Sequence, residues 1–158
     1  SFDKLLELLS VSEIDINNAG SILSHGDLCF SNILASAHFD KLIFIDPMGG
    51  IGTDAYKSIY YDFAKLSHSI HGNYDYIINN IAYLNFSSDM QLKLNYYQNS
   101  NSFLLKKFEE MVKGFKLDIK ILRLIEASLF LSMLPLHSDD ERRVIMLAIR
   151  GMEILDTL

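Results

Sequence analysis

The segment His25-Gly26-Asp27-Leu28-Cys29-Phe30-Ser31-Asn32 carries an aspartate and an asparagine on one short stretch, and Asp46 follows at the end of the next apolar run. A carboxylate held on a tight loop can orient a hydroxyl group and accept its proton, which makes Asp27 the candidate general base. An amide oxygen and a second carboxylate are hard donors of the kind Mg²⁺ takes beside bound phosphates. Asn32 and Asp46 are therefore the candidate metal and cofactor-binding residues. The three together have the parts needed to transfer a phosphoryl group to a hydroxyl. His25 has no required place in that chemistry and is expected to support the loop by hydrogen bonding backbone groups.

These residues need elements to position them. Asn32-Ile33-Leu34-Ala35 and Lys41-Leu42-Ile43-Phe44-Ile45 are apolar runs separated by a polar stretch, which is a hairpin pattern. Antiparallel pairing returns the start of one strand and the end of the other to the same place, bringing Asn32 towards Asp46. Pro47, Gly49 and Gly50 then stop the strand. Upstream, Phe2 to Leu9 reads as a short amphipathic segment, Asp15 to Gly20 as loop and Ile22-Leu23 as a minimal strand. From Asp54 onward the periodicity predicts four or five helices. Ile59, Phe63, Leu66 and Ile70 share a face of the first, and Tyr76, Ile77, Ile81 and Leu84 a face of the next. Met90 to Tyr97 and Phe103 to Phe115 read as two helices or one interrupted helix. The last two cover Asp118 to Leu134 and Asp139 to Leu155, with Ser138 and Glu141 at capping-box spacing.

The whole chain, residues 1–158, is expected to form a single domain. Its 49% hydrophobic and 22% charged residues exclude an intrinsically disordered segment. A net charge of −6 supplies no basic field for nucleic acid or anionic lipid. The lone Cys29 closes no intramolecular disulfide, and with nothing resembling a signal peptide at the start, a cytoplasmic location is expected. Leu124 to Leu136, the most apolar stretch, is shorter than the roughly 20 residues a membrane helix needs, so it reads as a core helix and no membrane span is expected.

The loop resembles that of the aminoglycoside phosphotransferase and choline kinase-like superfamily, a protein kinase-like group. Its usual form is H-G-D-L-H-x-x-N followed by two hydrophobic residues and then I-D-W or I-D-P. Here the chain has His25-Gly26-Asp27-Leu28 through Asn32-Ile33-Leu34, then Ile45-Asp46-Pro47. Tyr61-Asp62-Phe63-Ala64-Lys65-Leu66 is similar to the family's Y-D-L-A-x-L helix start, whose aspartate buttresses the catalytic loop. By that resemblance Asp62 inherits the structural role. The wording around Cys29 to Asn32, Lys65 to Ser69, Gly72 and Tyr74-Asp75 also resembles a branch found in bacterial capsule and surface-glycan biosynthesis. The resemblance covers about Ile22 to Asp75. It implies an α+β fold: a mostly helical kinase-like carboxy-terminal lobe with a small β-hairpin carrying the catalytic loop. It also implies Mg²⁺, ATP or GTP, and a sugar or amino-alcohol acceptor. Cys29 stands where many members have histidine. The family's amino-terminal nucleotide lobe, with its glycine-rich hairpin and strand lysine, does not fit in the 24 residues before His25. The expectation is thus one lobe of a longer kinase, inactive on its own.

Other features have plainer readings. His68 and His71 have no accompanying acidic pair in sequence and are assigned to a helix surface or substrate rim rather than zinc. Cys29 reads as a small packing residue, and Met48 as core or interface filler. Asp139 and Asp140 favour the positive end of the last helix. Tyr83 to Asn101 has the stacking and hydrogen-bonding groups for an acceptor pocket, and also the composition of ordinary surface. A non-catalytic binding or assembly module and a phosphohydrolase using Asp27 and Asp46 are the competing functions.

Overall fold

The computed structural model describes residues 20–50, 52–97 and 102–158. The amphipathic segment Phe2 to Leu9, most of the loop Asp15 to Gly20, and residues 98–101 lie outside the described residues. Within them the chain is α+β, with helices predominating. The order is β1 (Ser21–Leu23), β2 (Ile33–Ala35), β3 (Leu42–Phe44), β4 (Tyr56–Ser58), α1 (Ile59–Ile70), α2 (Tyr74–Ile78), β5 (Ala82–Phe86), β6 (Leu92–Tyr96), α3 (Ser102–Gly114), α4 (Ile119–Ser132) and α5 (Glu141–Asp156). Short 3₁₀ turns occupy Phe30–Asn32, Gly52–Ala55 and Leu134–His137. Among the described residues no helix is long and apolar enough to cross a membrane.

The strands form three separate antiparallel pairs. β2 and β3 make the expected hairpin, in register Ile33 to Phe44 and Ala35 to Leu42. β1 pairs with β4, Ser21 opposite Ser58 and Leu23 opposite Tyr56, which ties the start of the loop region to the helix that follows.

The third pair corrects the helical reading of the middle of the chain. α2 ends at Ile78, so Tyr76 and Ile77 lie in the helix while Leu84 lies in β5, and residues 92–96 of the stretch expected as a helix from Met90 form β6. Ala82 faces Tyr96 and Phe86 faces Leu92 across this hairpin. Asn80 and Met90 adopt φ values of 59° and 60°, left-handed positions that asparagine tolerates well and that end the helix and close the turn respectively.

The core has two parts. Ile77, Leu124, Phe130, Leu147 and Ile154 are buried where α4 packs on α5, α2 and the third hairpin. Tyr60, Ile70, Phe108, Val112 and Leu122 are buried where α1 and α3 meet the other side of α4. Of the stretch Leu124 to Leu136 expected as a core helix, residues 124–132 are core helix, while Leu134–His137 is a 3₁₀ turn and Leu136 is exposed. Gly72, just after α1, has no room for a side chain: a Cβ there would lie 2.4 Å from the His68 carbonyl oxygen and 2.7 Å from Phe130 Cε2.

Two local expectations need correction. Asp140, not Ser138, caps α5: its side chain accepts from Arg143 N at 3.1 Å, because the turn Leu134–His137 delays the helix start. The expected apolar face of α1 is not its most buried one. Ile59, Phe63 and Leu66 are half-buried beside Ile22 and Phe44 along an open apolar groove, whereas Asp62, Lys65, Ser67, His68 and Ser69 are buried. A helix carrying this many buried polar groups must find them partners.

Candidate active site

Most of those partners belong to the loop. Asp62 Oδ2 accepts from His25 N at 2.9 Å and Asp62 Oδ1 from Gly26 N at 2.8 Å, so one carboxylate holds two successive amides. Gly26 sits at φ +78°, and a Cβ there would come within 2.7 Å of Met48 Cβ. Glycine alone meets both conditions at low cost. Met48 is 53% exposed and its amide bonds the His25 carbonyl at 2.9 Å. It packs over the loop and is not core filler.

His25 bridges the loop to the hairpin. Its Nε2 lies 3.0 Å from the Ile45 carbonyl oxygen, and its Nδ1 lies 3.3 Å from Asp27 N. A proton on Nε2 satisfies both contacts, with Nδ1 as acceptor.

Asp27 and Asn32 are in direct contact. Asn32 Nδ2 donates to Asp27 Oδ2 at 3.0 Å and to the Asp27 carbonyl at 2.8 Å, which directs both amide hydrogens to one residue. The amide oxygen, on the other branch of the planar group, is the atom left to meet a cation. Ile45 N donates to the Asn32 carbonyl at 3.0 Å, so Asp46 is the next residue beyond the end of the hairpin that Asn32 opens. Asp46 is exposed and adopts φ 55°, although a proline follows it. A left-handed residue before proline is doubly disfavoured. Strain of this kind is retained where the surrounding structure fixes it, as at ligand-binding positions. An amide oxygen and a solvent-facing carboxylate fit the oxygen preference of Mg²⁺. Among the described residues no group of three His, Cys, Asp or Glu side chains is gathered at metal-binding spacing. The candidate metal residues are two, the Asn32 amide and the Asp46 carboxylate.

The loop has further supports that sequence reasoning did not identify. Lys65 Nζ lies 2.9 Å from Asp27 Oδ1. Phe30 N donates to Ser69 Oγ at 3.0 Å, and the Ser69 hydroxyl in turn bonds Asp75. Burial raises the Asp75 carboxyl above its ordinary range, partly offset by its bonds to Ser69 and the Ser31 amide. The conspicuous polar run from Lys65 to Ser69 inside an otherwise apolar helix was the available signal. Cys29 is buried under this turn, its Sγ 3.1 Å from Ser31 Oγ, in keeping with a packing role.

Of the two histidines beyond the loop, His68 departs from the surface-rim reading, while His71 is half-buried. His68 is 1% exposed, stacked on Tyr74 at 4.3 Å and edge-on to Phe130 at 4.0 Å. Burial, with Lys65 nearby, lowers its pKa to about 3, so it is a neutral core ring. His71 is lowered to about 4, again chiefly by burial, with Glu109 at 3.8 Å opposing the shift. In the third hairpin Tyr83 packs against Tyr97 at 4.7 Å, and Asn95 Nδ2 donates to Asn85 Oδ1 at 2.6 Å.

Comparison with protein families, curated proteins and solved structures yields no match for this chain.

Proposed function

We propose that this chain is the catalytic-loop lobe of a Mg²⁺-dependent small-molecule kinase. The reaction moves the terminal phosphoryl group of ATP or GTP to a hydroxyl of a sugar or amino alcohol, in the making of a surface polysaccharide. The observation that carries this reading is the Asp27 carboxylate fixed by Asn32 on a loop whose backbone hangs from Asp62. Such a carboxylate is preorganised to orient a nucleophile, the main task left to a protein in phosphoryl transfer. Asp27 takes the acceptor's hydroxyl proton and the acceptor oxygen bonds the terminal phosphorus. The bond from that phosphorus to the bridging oxygen breaks, and its electron pair leaves with the nucleoside diphosphate. Asn32 and Asp46 would hold Mg²⁺, which when bound would offset charge on the phosphate oxygens. His25 and Asp62 hold the loop.

On the face turned away from the groove, the β2–β3 hairpin exposes Leu34 and its cross-strand partner Ile43. An apolar patch of this kind suits packing against a separate nucleotide-binding lobe. The same patch favours a second reading, a kinase-like module that binds or assembles without catalysis.

The test uses the full-length polypeptide with MgATP or MgGTP and a mixture of hexoses, N-acetylhexosamines and amino alcohols. The kinase reading expects a phosphorylated acceptor by mass spectrometry and a loss of about 10²-fold or more in turnover for Asp27→Asn, the scale of general base catalysis, with the circular dichroism unchanged. No product and no nucleotide consumption would leave the module reading. Phosphate release from a phosphoester without nucleotide would indicate a hydrolase.

A further inference from the structure

Asp62, Lys65 and Ser69 stand at i, i+3 and i+7 on α1, which puts them along one side of the helix. All three reach the loop. Asp62 takes the amides of His25 and Gly26, Lys65 meets the Asp27 carboxylate, and Ser69 takes the amide of Phe30. Two of these residues, Asp62 and Ser69, hold backbone. Only Lys65 holds a side chain, and that side chain is the candidate base.

Fold stability does not account for this lysine. Its side chain is 9% exposed, while that of Asp27 is 33% exposed. Withdrawing an ammonium from water is costly, and a pairing with a partly solvated carboxylate returns little. An apolar residue would fill the site at lower cost. What the pair does provide is orientation. Lys65 holds Oδ1 at 2.9 Å and Asn32 holds Oδ2 at 3.0 Å, so the carboxylate is fixed at both oxygens. Each oxygen still has a lone pair for a hydroxyl hydrogen.

We propose that Lys65 is a positioning residue for phosphoryl transfer, its ammonium locking the Asp27 carboxylate in the orientation that receives the acceptor's proton. The assignment rests on the kinase reading of the site. A lysine that merely filled space would be replaceable by methionine, which has a similar length and no charge.

The pair is tested first by thermal unfolding of this chain. Asp27→Asn should lower the midpoint by stranding the buried ammonium, Lys65→Met alone should change it little, and Lys65→Met added to Asp27→Asn should recover most of the loss, since no charge is then stranded. Strict additivity overturns the proposal. Turnover is then measured in the full-length polypeptide with MgATP and the same mixture of hexoses, N-acetylhexosamines and amino alcohols. Lys65→Met should reduce kcat by about 10²-fold, the scale of a lost oriented group, with KM for nucleotide and acceptor changed less than about threefold. Lys65→Arg, which keeps the charge, should recover part of the loss. Lys65→Met should cost nothing further in an Asp27→Asn background. An active Asp27→Asn enzyme removes the kinase reading and the proposal with it. An inactive Asp27→Asn beside a fully active Lys65→Met leaves the kinase reading standing and overturns this proposal alone.

Discussion

Asp62 is 8% exposed and each of its oxygens accepts one loop amide. Hydrogen bonds to a charged acceptor contribute about 1.5–3 kcal/mol each, and removing the acceptor strands both donors. Asp62→Ala should therefore cost about 3 kcal/mol or more in urea unfolding, and Asp62→Asn less, because the amide keeps one acceptor oxygen. The accompanying signature is faster hydrogen exchange at the amides of His25 and Gly26 than elsewhere in the lobe. Equal exchange across the chain would contradict the clamp. The contacts of His25, Asp27 and Asn32 with one another span at most five positions, so their types and spacing already implied a common loop. Lys65 and Ser69 were harder to assign because they meet the loop across 38 and 39 positions, and composition cannot distinguish a buried lysine from a solvated one. Only the packing of α1 against the loop decides that.

Regular periodicity identified α1, α3, α4 and α5, since long amphipathic runs leave few alternatives. The hairpin at β5–β6 escaped because Ile77, Ile81 and Leu84 mimic helical spacing over a short window. The stronger signal was Leu92, Leu94 and Tyr96 alternating with Lys93 and Asn95, which is strand period. Ser87, whose amide bonds the Gln91 carbonyl at 2.9 Å, closes the turn that the alternation requires. The start of α5 offers a direct measurement of how such local signals compete. Ser138 and Asp140 both have capping side chains, and only Asp140 accepts from the helix, at Arg143 N. Asp140→Ala should destabilise the chain by about 1 kcal/mol, the usual cost of an N-cap. Ser138→Ala should change the unfolding midpoint negligibly. The reverse ranking would restore the capping box at Ser138.

The site and the core share α1, so the stability of the molecule and the order of its loop should respond together to acid. His68 and His71 are held neutral by burial, with native values of about 3 and about 4. The unfolded chain protonates both near 6.5. As pH falls from 6.5 towards 4, the unfolded state binds protons that the native state refuses, and each histidine removes up to about 1.4 kcal/mol per pH unit. His137, also lowered by burial though only partly covered, acts in the same sense. Glu126 and Asp75 act oppositely. Burial raises both, so the native state takes up their protons before the unfolded state does, and falling pH adds stability through that window. The overall acid limb is a difference between these contributions, but the part due to one histidine can be isolated. His68 stacks on Tyr74, and its Nε2 has no partner among the described residues. His68→Gln keeps a polar side chain of similar size and removes the titration. Between pH 6.5 and 4 the variant should lose less stability than the parent, the gap narrowing by up to about 1.4 kcal/mol per unit, as read from urea unfolding at each pH. Parallel curves would mean that His68 titrates normally in the folded chain. It would then be in contact with water, and the close packing beneath Lys65 and the loop would be wrong.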